Sequence, residues 1–197
     1  MSTVAIRPGS DPGTPSRQAV IVRHRWTVRD YYRLASAGIL NEDSRVELIN
    51  GEVVDMAPIG SVHAFALNGL SRALFRRLGE QFLIRVQDPI HLDDHSEPQP
   101  DLVVAQDRNY SAGHPQAPDI LLVVEVADTT LAYDRDIKVP LYARSGIPQV
   151  WLLDVNTKRL TVYLEPTAEG YRQVSTPGAE DSLEVGGVVV PVGELVE

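Results

Sequence analysis

The sequence predicts an α/β sandwich, a mixed central sheet flanked by helices. Three observations predict it. Hydrophobic residues make up 43% of 197, enough for one well-buried core in a chain too short for two ordinary domains. Short apolar runs recur between Gly, Pro and Asp punctuation, some at helical spacing and some continuous and strand-length. From Ser61 onward their order is helix, strand, strand, strand, helix, strand. That order suits three antiparallel strands and a fourth that returns after a helix.

Residues 1–24 read as a disordered leader, because Pro8, Gly9, Ser10, Pro12, Gly13 and Pro15 bury nothing. Residues 25–197 read as one domain. Thr27 is a suitable N-cap for a short helix from Val28 to Ala37, closed by Gly38. Asn50-Gly51 between Arg45–Ile49 and Glu52–Met56 is a strong hairpin signal, and this hairpin is expected to extend the sheet at one side. From Ser61 to Leu78, residues Val62, Phe65, Leu70, Ala73, Leu74 and Leu78 recur at helical spacing.

Phe82–Val86 with Ile90–Leu92 reads as one broken strand, Leu102–Ala105 as a second and Ile120–Val126 as a third. A helix is expected over Asp134–Ser145, stopped by Gly146 and Pro148. Pro140 requires it to start nearby or kink. Val150–Asp154 reads as a buried strand, followed by a meander of Arg159–Leu164 and Tyr171–Val174 and short strands near Leu183 and Val188.

The chain has no cysteine, which removes disulfides, thiolate nucleophiles and Cys-containing zinc sites. No apolar stretch reaches membrane-spanning length and no signal-peptide segment opens the chain, so the expected location is the cytoplasm, with no membrane partner. There is no Gly-rich phosphate loop and no Gly-x-Ser-x-Gly elbow. Net charge is −9; residues 1–25 hold Arg7, Arg17, Arg23 and Arg25 against Asp11, a balance of +3, which leaves −12 for the rest. Nucleic-acid affinity rests largely on neutralising phosphates, so any such contact here needs a local basic patch, a metal or an oligomer.

Asp101 starts one predicted strand and Glu125 ends the next. A hairpin centred near Gly113 sets them opposite each other, with Cβ atoms about 4.5–5.5 Å apart. Two carboxylates so placed repel unless a cation intervenes, and hard divalent ions take such oxygen ligands. Taken singly, Asp101 reads as a strand-terminal residue and Glu125 as one leaving the core. Of the 18 basic residues only Lys138 and Lys158 are lysines. Lys138 lies early in the helix after Glu125, where a compact ammonium does what guanidinium cannot; otherwise it is a surface lysine. Glu47 either faces solvent or points into a cleft. His63 reads as a helix-terminal contact, His91–His95 as a turn with adjacent acids, and Arg72, Arg76 and Arg77 as a basic helix face, solvated by default.

Taken together, Arg45-Val-Glu-Leu-Ile-Asn-Gly-Glu52, Pro100-Asp101, Val124-Glu125-Val126, Tyr133-Asp134 with Lys138, and Leu141–Pro148 before Trp151 resemble the Uma-type family. These are bacterial domains described as restriction endonucleases of PD-(D/E)XK fold. The resemblance covers about residues 26–195 in order and spacing. It implies an endonuclease that hydrolyses phosphodiester bonds in nucleic acid, with DNA as the expected partner and a homodimer as a compatible state. Asp101 and Glu125 would be metal ligands, joined by the Val126 carbonyl, and Glu47 an extra acid. The ion would be magnesium, or manganese in its place. One departure is Ala127, which occupies the usual motif-lysine position; Lys138 would stand in, orienting or deprotonating a water. Two other readings stay open: a non-catalytic binding module on the same scaffold, and a metal-dependent hydrolase of small phosphate esters.

Overall fold

Continuous apolar runs around Val103 and Val123 become the central strands because both of their faces are covered. The computed structural model describes residues 22–41 and 43–195. Its elements are α1 (Val28–Ser36), β1 (Val46–Ile49), β2 (Glu52–Asp55), α2 (Ser61–Leu78), β3 (Phe82–Val86), β4 (Leu102–Gln106) and β5 (Ile120–Ala127). A three-part helix follows: α3 (Leu131–Tyr133), a π-helical segment (Asp134–Lys138) and α4 (Val139–Arg144). Then come β6 (Gln149–Asp154), β7 (Arg159–Thr167), β8 (Gly170–Ser175), β9 (Ser182–Val185) and β10 (Val188–Pro191).

Strands β3 to β8 form one sheet in sequence order, and only the β5–β6 pair is parallel. The two-residue periodicity of the strands divides the core. Leu102, Val104, Leu122 and Val124 pack with Leu67, Leu70 and Leu74 of α2, while Val103, Ala105, Val123 and Ala127 pack with Val139 and Tyr142 of α4. The β9–β10 hairpin adds Val185 and Val190 to the α2 side. Thr27 caps α1 with a full capping box. The π-helical segment ends with the Val139 amide bonded to the Asp134 carbonyl, just before Pro140, which has no N–H to continue an α ladder.

Three expectations need correction. The β1–β2 hairpin does not extend the central sheet; it is a separate two-stranded ribbon, joined by a single bridge from Leu48 to Glu97. Its turn is held from outside the sheet: Trp26 N donates to Gly51 O at 2.8 Å, and Gly51 N donates to His95 O at 2.7 Å. Ile90–Leu92 is not the second half of β3, because Gln87 at φ 54° followed by Pro89 turns the chain out of the strand. The segment Leu131–Arg144 starts three residues earlier than expected and contains the π-helical turn. As for the expected leader, residues 1–21 lie outside the described part; residues 22–24 are exposed, and from Arg25 the chain is pinned to the hairpin turn.

That pinning depends on Gly51. Its φ is +80°, and an added Cβ would come 2.7 Å from Arg25 Cβ and 3.1 Å from Arg25 Cα. Gly38 shares a positive φ of +72° but has open space around it. Thermal or denaturant unfolding should show Gly51→Ala destabilising by about 1–3 kcal/mol more than Gly38→Ala, the usual cost of overpacking. Equal losses would mean that Arg25 does not pack against the turn.

Candidate active site

The start of β4 and the end of β5 lie side by side. Their last pair is Leu102 with Val124, and one further step of the same register sets Asp101 opposite Glu125. Asp101 Oδ2 accepts the Val126 amide at 2.8 Å, while Oδ1 lies 3.0 Å from His63 Nε2. That contact is close enough for an ion pair but is not aligned as a hydrogen bond. His63 stands in the first turn of α2, on the other face of the sheet, and reaches round the strand ends. The Asp101 carboxylate raises the His63 pKa against the opposing effect of burial, and Asp128 adds to the rise.

Glu125, Glu47 and Lys138 form the buried half of the site. Lys138 Nζ lies 3.0 Å from Glu125 Oε1 and 3.2 Å from Glu47 Oε2. Glu47 Oε2 also accepts the Gln99 amide at 3.1 Å, and Tyr142 donates to Glu125 Oε1 at 2.6 Å. All of these acids and the lysine are at most 5% exposed. Burial pushes the Glu125 carboxyl up to about 8, although Lys138 pulls it down; Asp134 and Asp101 add to the rise. Burial alone would strip Lys138 of its proton, but Glu125, Glu47 and Asp134 reverse that, and its net shift is upward. Two acids share one base: the base keeps its charge, and Glu125 is pushed toward the neutral form. Lys138 is thus a fixed cation, poorly suited to take a proton from water.

Ala127, two residues beyond Glu125, faces the same side of β5 and packs with Val139. A lysine there would run into the helix. Lys138 reaches Glu125 from the helix that packs over Ala127.

Glu47, Asp101, Glu125, Val126 and Lys138 all line one pocket of ≈ 160 Å³. Glu47 points into the cleft rather than to solvent. Three more residues join them that the sequence reading did not place in the site. His63 was set aside as a helix-end contact. Asp134 is buried, accepts from Thr130 Oγ1 at 2.6 Å, and has its carboxyl raised by that burial. The Tyr133 hydroxyl is buried with no hydrogen-bond partner, and burial raises its pKa to about 12. Only the quoted Tyr133-Asp134 pair hinted at two of them; no spacing relates residue 63 to residue 101, because they meet around the edge of the sheet. Asp93 and His95 form the expected turn, His95 N donating to Asp93 Oδ1 at 2.7 Å.

The opposed carboxylates do not by themselves demand a metal, since His63 stands against Asp101 and Glu125 is pushed toward its neutral form beside Lys138. Among the described residues no three His, Cys, Asp or Glu side chains converge as a metal-binding group. Of the carboxylates lining the pocket, Asp101 and Glu125 stand at the Val126 backbone and are an incomplete set of oxygen donors. Such a set fits Mg²⁺, which keeps several waters and binds through one or two carboxylates; it does not fit a closed four-ligand zinc site.

Comparison with known proteins gives a family and a fold. The family model Uma2, described as "Putative restriction endonuclease", matches residues 28–190. A solved structure titled as a putative nuclease belonging to DUF820, from Anabaena variabilis, is 13% identical, with a TM-score of 0.66; the match covers 86% of this chain and 97% of that one. At that identity the likeness shows the fold. No curated protein matches the chain. Among the described residues no helix is long and apolar enough to cross a membrane.

Glu125 makes the site sensitive to pH. Its folded value of about 8 lies above the ordinary 4.5, so the folded state holds the proton more tightly. The resulting stability is fully present below pH 4.5 and lost as pH rises through about 8. The melting temperature of the metal-free protein should therefore fall across that window, and Glu125→Gln should flatten the fall. A pH profile identical in the two proteins would show that Glu125 is ionised throughout.

Proposed function

The chain belongs to the Uma2 family, and on that premise we propose that it is a metal-dependent endonuclease hydrolysing phosphodiester bonds in DNA. The observation that carries this reading is the convergence of Asp101, Glu125, the charged Lys138 and the unpartnered Tyr133 hydroxyl on one small pocket. The nuclease-like fold and the family description support it.

Asp101, Glu125 and the Val126 carbonyl would hold Mg²⁺, with Mn²⁺ as a substitute. Bound there, the ion supplies a water of lowered pKa and neutralises charge on the phosphate. The chain's own residues do the rest. Lys138 has three N–H donors; two are spent on Glu47 and Glu125, which leaves one for a phosphate oxygen. Glu47 fixes that ammonium and, through the Gln99 amide, ties it to the segment leading into Asp101. Tyr133 keeps its proton at neutral pH, so its free hydroxyl is a donor for a non-bridging oxygen of the phosphate. His63, its pKa raised by Asp101, can give a proton to the leaving oxygen. The cytoplasm, where DNA is reached directly, is the proposed place of action. A homodimer would let two such pockets address the two strands of a duplex.

Plasmid and short-duplex cleavage in Mg²⁺ and Mn²⁺ tests this reading. Asp101→Ala and Glu125→Ala should abolish cleavage and severely weaken Mg²⁺ binding in calorimetry. Tyr133→Phe removes one oxygen and no packing; it should lower kcat by about 10²–10³, as loss of one transition-state donor does, with metal binding retained. Lys138→Ala and Lys138→Arg should both lose cleavage. Lys138→Ala should also lower stability by about 3–5 kcal/mol, because it leaves buried acids without their cation. Absence of cleavage by the wild type on all DNA and RNA offered, with nucleic acid still bound, would make the chain a binding module instead.

A further inference from the structure

A second concavity of ≈ 590 Å³ lies along the exposed face of α2, between that helix and the turn from β6 to β7. Its walls carry apolar groups, three cations and one carboxylate, that of Glu194. Val62 and Phe65 are 55% and 71% exposed, unusual for large apolar side chains on a helix that otherwise buries its apolar stripe. Arg72, Arg76 and Lys158 set cations along the same space. Arg76 and Arg77 share Glu194, Arg76 at 3.7 Å. Among the described residues Arg72 and Lys158 have no acid within ion-pairing distance.

Gly69 lies on the floor, in the middle of the helix, with nothing within 4 Å of where a Cβ would stand. Mid-helix glycine costs about 1 kcal/mol relative to alanine. No packing inside the fold requires it here, and what glycine permits is close approach by something outside.

The groove lies beside the active-site pocket. Val62 adjoins His63 in the first turn of α2. Val155, on the opposite wall, donates its amide to Ala127 O at 3.0 Å, next to Asp128 of the active-site pocket, and Asn156 Nδ2 donates to Asp128 O at 2.7 Å, so the linings of the two concavities are hydrogen-bonded neighbours. Charge selects the occupant. A symmetric contact with a second copy would set this cationic strip against itself. The N-terminal residues 1–25 carry a balance of +3 and are of like sign. Polyphosphate is of opposite sign, the charge that two cations without an acid beside them can take.

We propose that this groove is the track for the nucleic-acid strand flanking the cut, with Arg72 and Lys158 on phosphates and Phe65 against the sugar–base edge. The inference rests on the endonuclease reading and extends it: in a chain of net charge −9, this is the local basic patch that substrate affinity needs. From His63 to Arg76 the helix rises about 20 Å, the length of about six nucleotide steps on one strand of B-DNA. The substrate is therefore expected to be a duplex reaching at least that far beyond the scissile phosphate.

The test is fluorescence anisotropy with such a duplex in Ca²⁺ over a salt series, using the full chain. Each phosphate contact contributes about −0.9 to the slope of log K against log salt. Arg72→Ala with Lys158→Ala should make that slope shallower by about 1.8 and weaken binding, with the melting temperature unchanged. Phe65→Ala should weaken binding without changing the slope. Slopes indistinguishable between wild type and the double variant would overturn the proposal. So would a dimer in sedimentation that Phe65→Glu dissociates, because the groove would then belong to a second copy. Calorimetric Mg²⁺ binding by the double variant separates the two readings: intact metal binding with an unchanged slope removes the groove alone, and wild type that binds neither Mg²⁺ nor duplex removes both.

Discussion

The site is organised around one buried cation. Lys138 lies between Glu47 and Glu125, and those three side chains come from three elements: the β1–β2 ribbon, the central sheet and the π-helical segment. None of the three groups would be tolerated alone at this depth, since an unpaired buried charge costs several kcal/mol. The cluster therefore constrains the fold as strongly as it serves chemistry. The ribbon must dock where Glu47 reaches the ammonium, and the helix must cross β5 above Ala127. Tyr142 and the Gln99 amide complete the hydrogen bonding that makes burial sustainable.

Much of this was legible in the sequence, and for identifiable reasons. The hairpin arithmetic that set Asp101 opposite Glu125 needed only the alternation of two apolar runs, and β4 and β5 pair in that register despite a shift between Val104 and Ala105. The boundaries of α2 were written by its 3.6-residue periodicity and by Gly79. The lone lysine among many arginines drew attention to Lys138. In contrast, the ribbon was assigned to the wrong neighbour because a hairpin signal is local. Nothing in Asn50-Gly51 says which edge the strands will meet, and the backbone bonds that decide it come from residues 26 and 95.

The site residues that escaped the sequence reading share a different cause. His63 belongs to a helix on one face of the sheet and Asp101 to a strand whose carboxylate opens at its end, so their meeting is a property of tertiary geometry. Tyr133 is conspicuous only through what it lacks, a partner for a buried hydroxyl. The metal inference was also simpler in one dimension than in three. Repulsion between two carboxylates called for a positive charge, and protein side chains already provide two. The proposal of Mg²⁺ thus rests on the hardness and incompleteness of the donor set. Acidic net charge, which argued against nucleic acid, loses force once cations are seen to be concentrated beside α2.

The separateness of the β1–β2 ribbon has a consequence for how the molecule can fail. Glu47 rides on a four-residue strand joined to the rest by one bridge, its own salt bridge, and hydrogen bonds with residues 25, 26, 31, 95, 96 and 99 rather than by a strand ladder. The six-stranded sheet, by contrast, is ladder-bonded throughout. Cooperative units of such unequal anchorage open at different free energies. Amide exchange in Val46–Ile49 and Glu52–Asp55 would then run ahead of exchange in Ile120–Ala127. A population would exist in which the sheet is native, the ribbon has swung away and Lys138 has lost one of its two acids. Spectroscopically such molecules count as folded. Chemically they are incomplete, so warming would silence the pocket before it melted the protein.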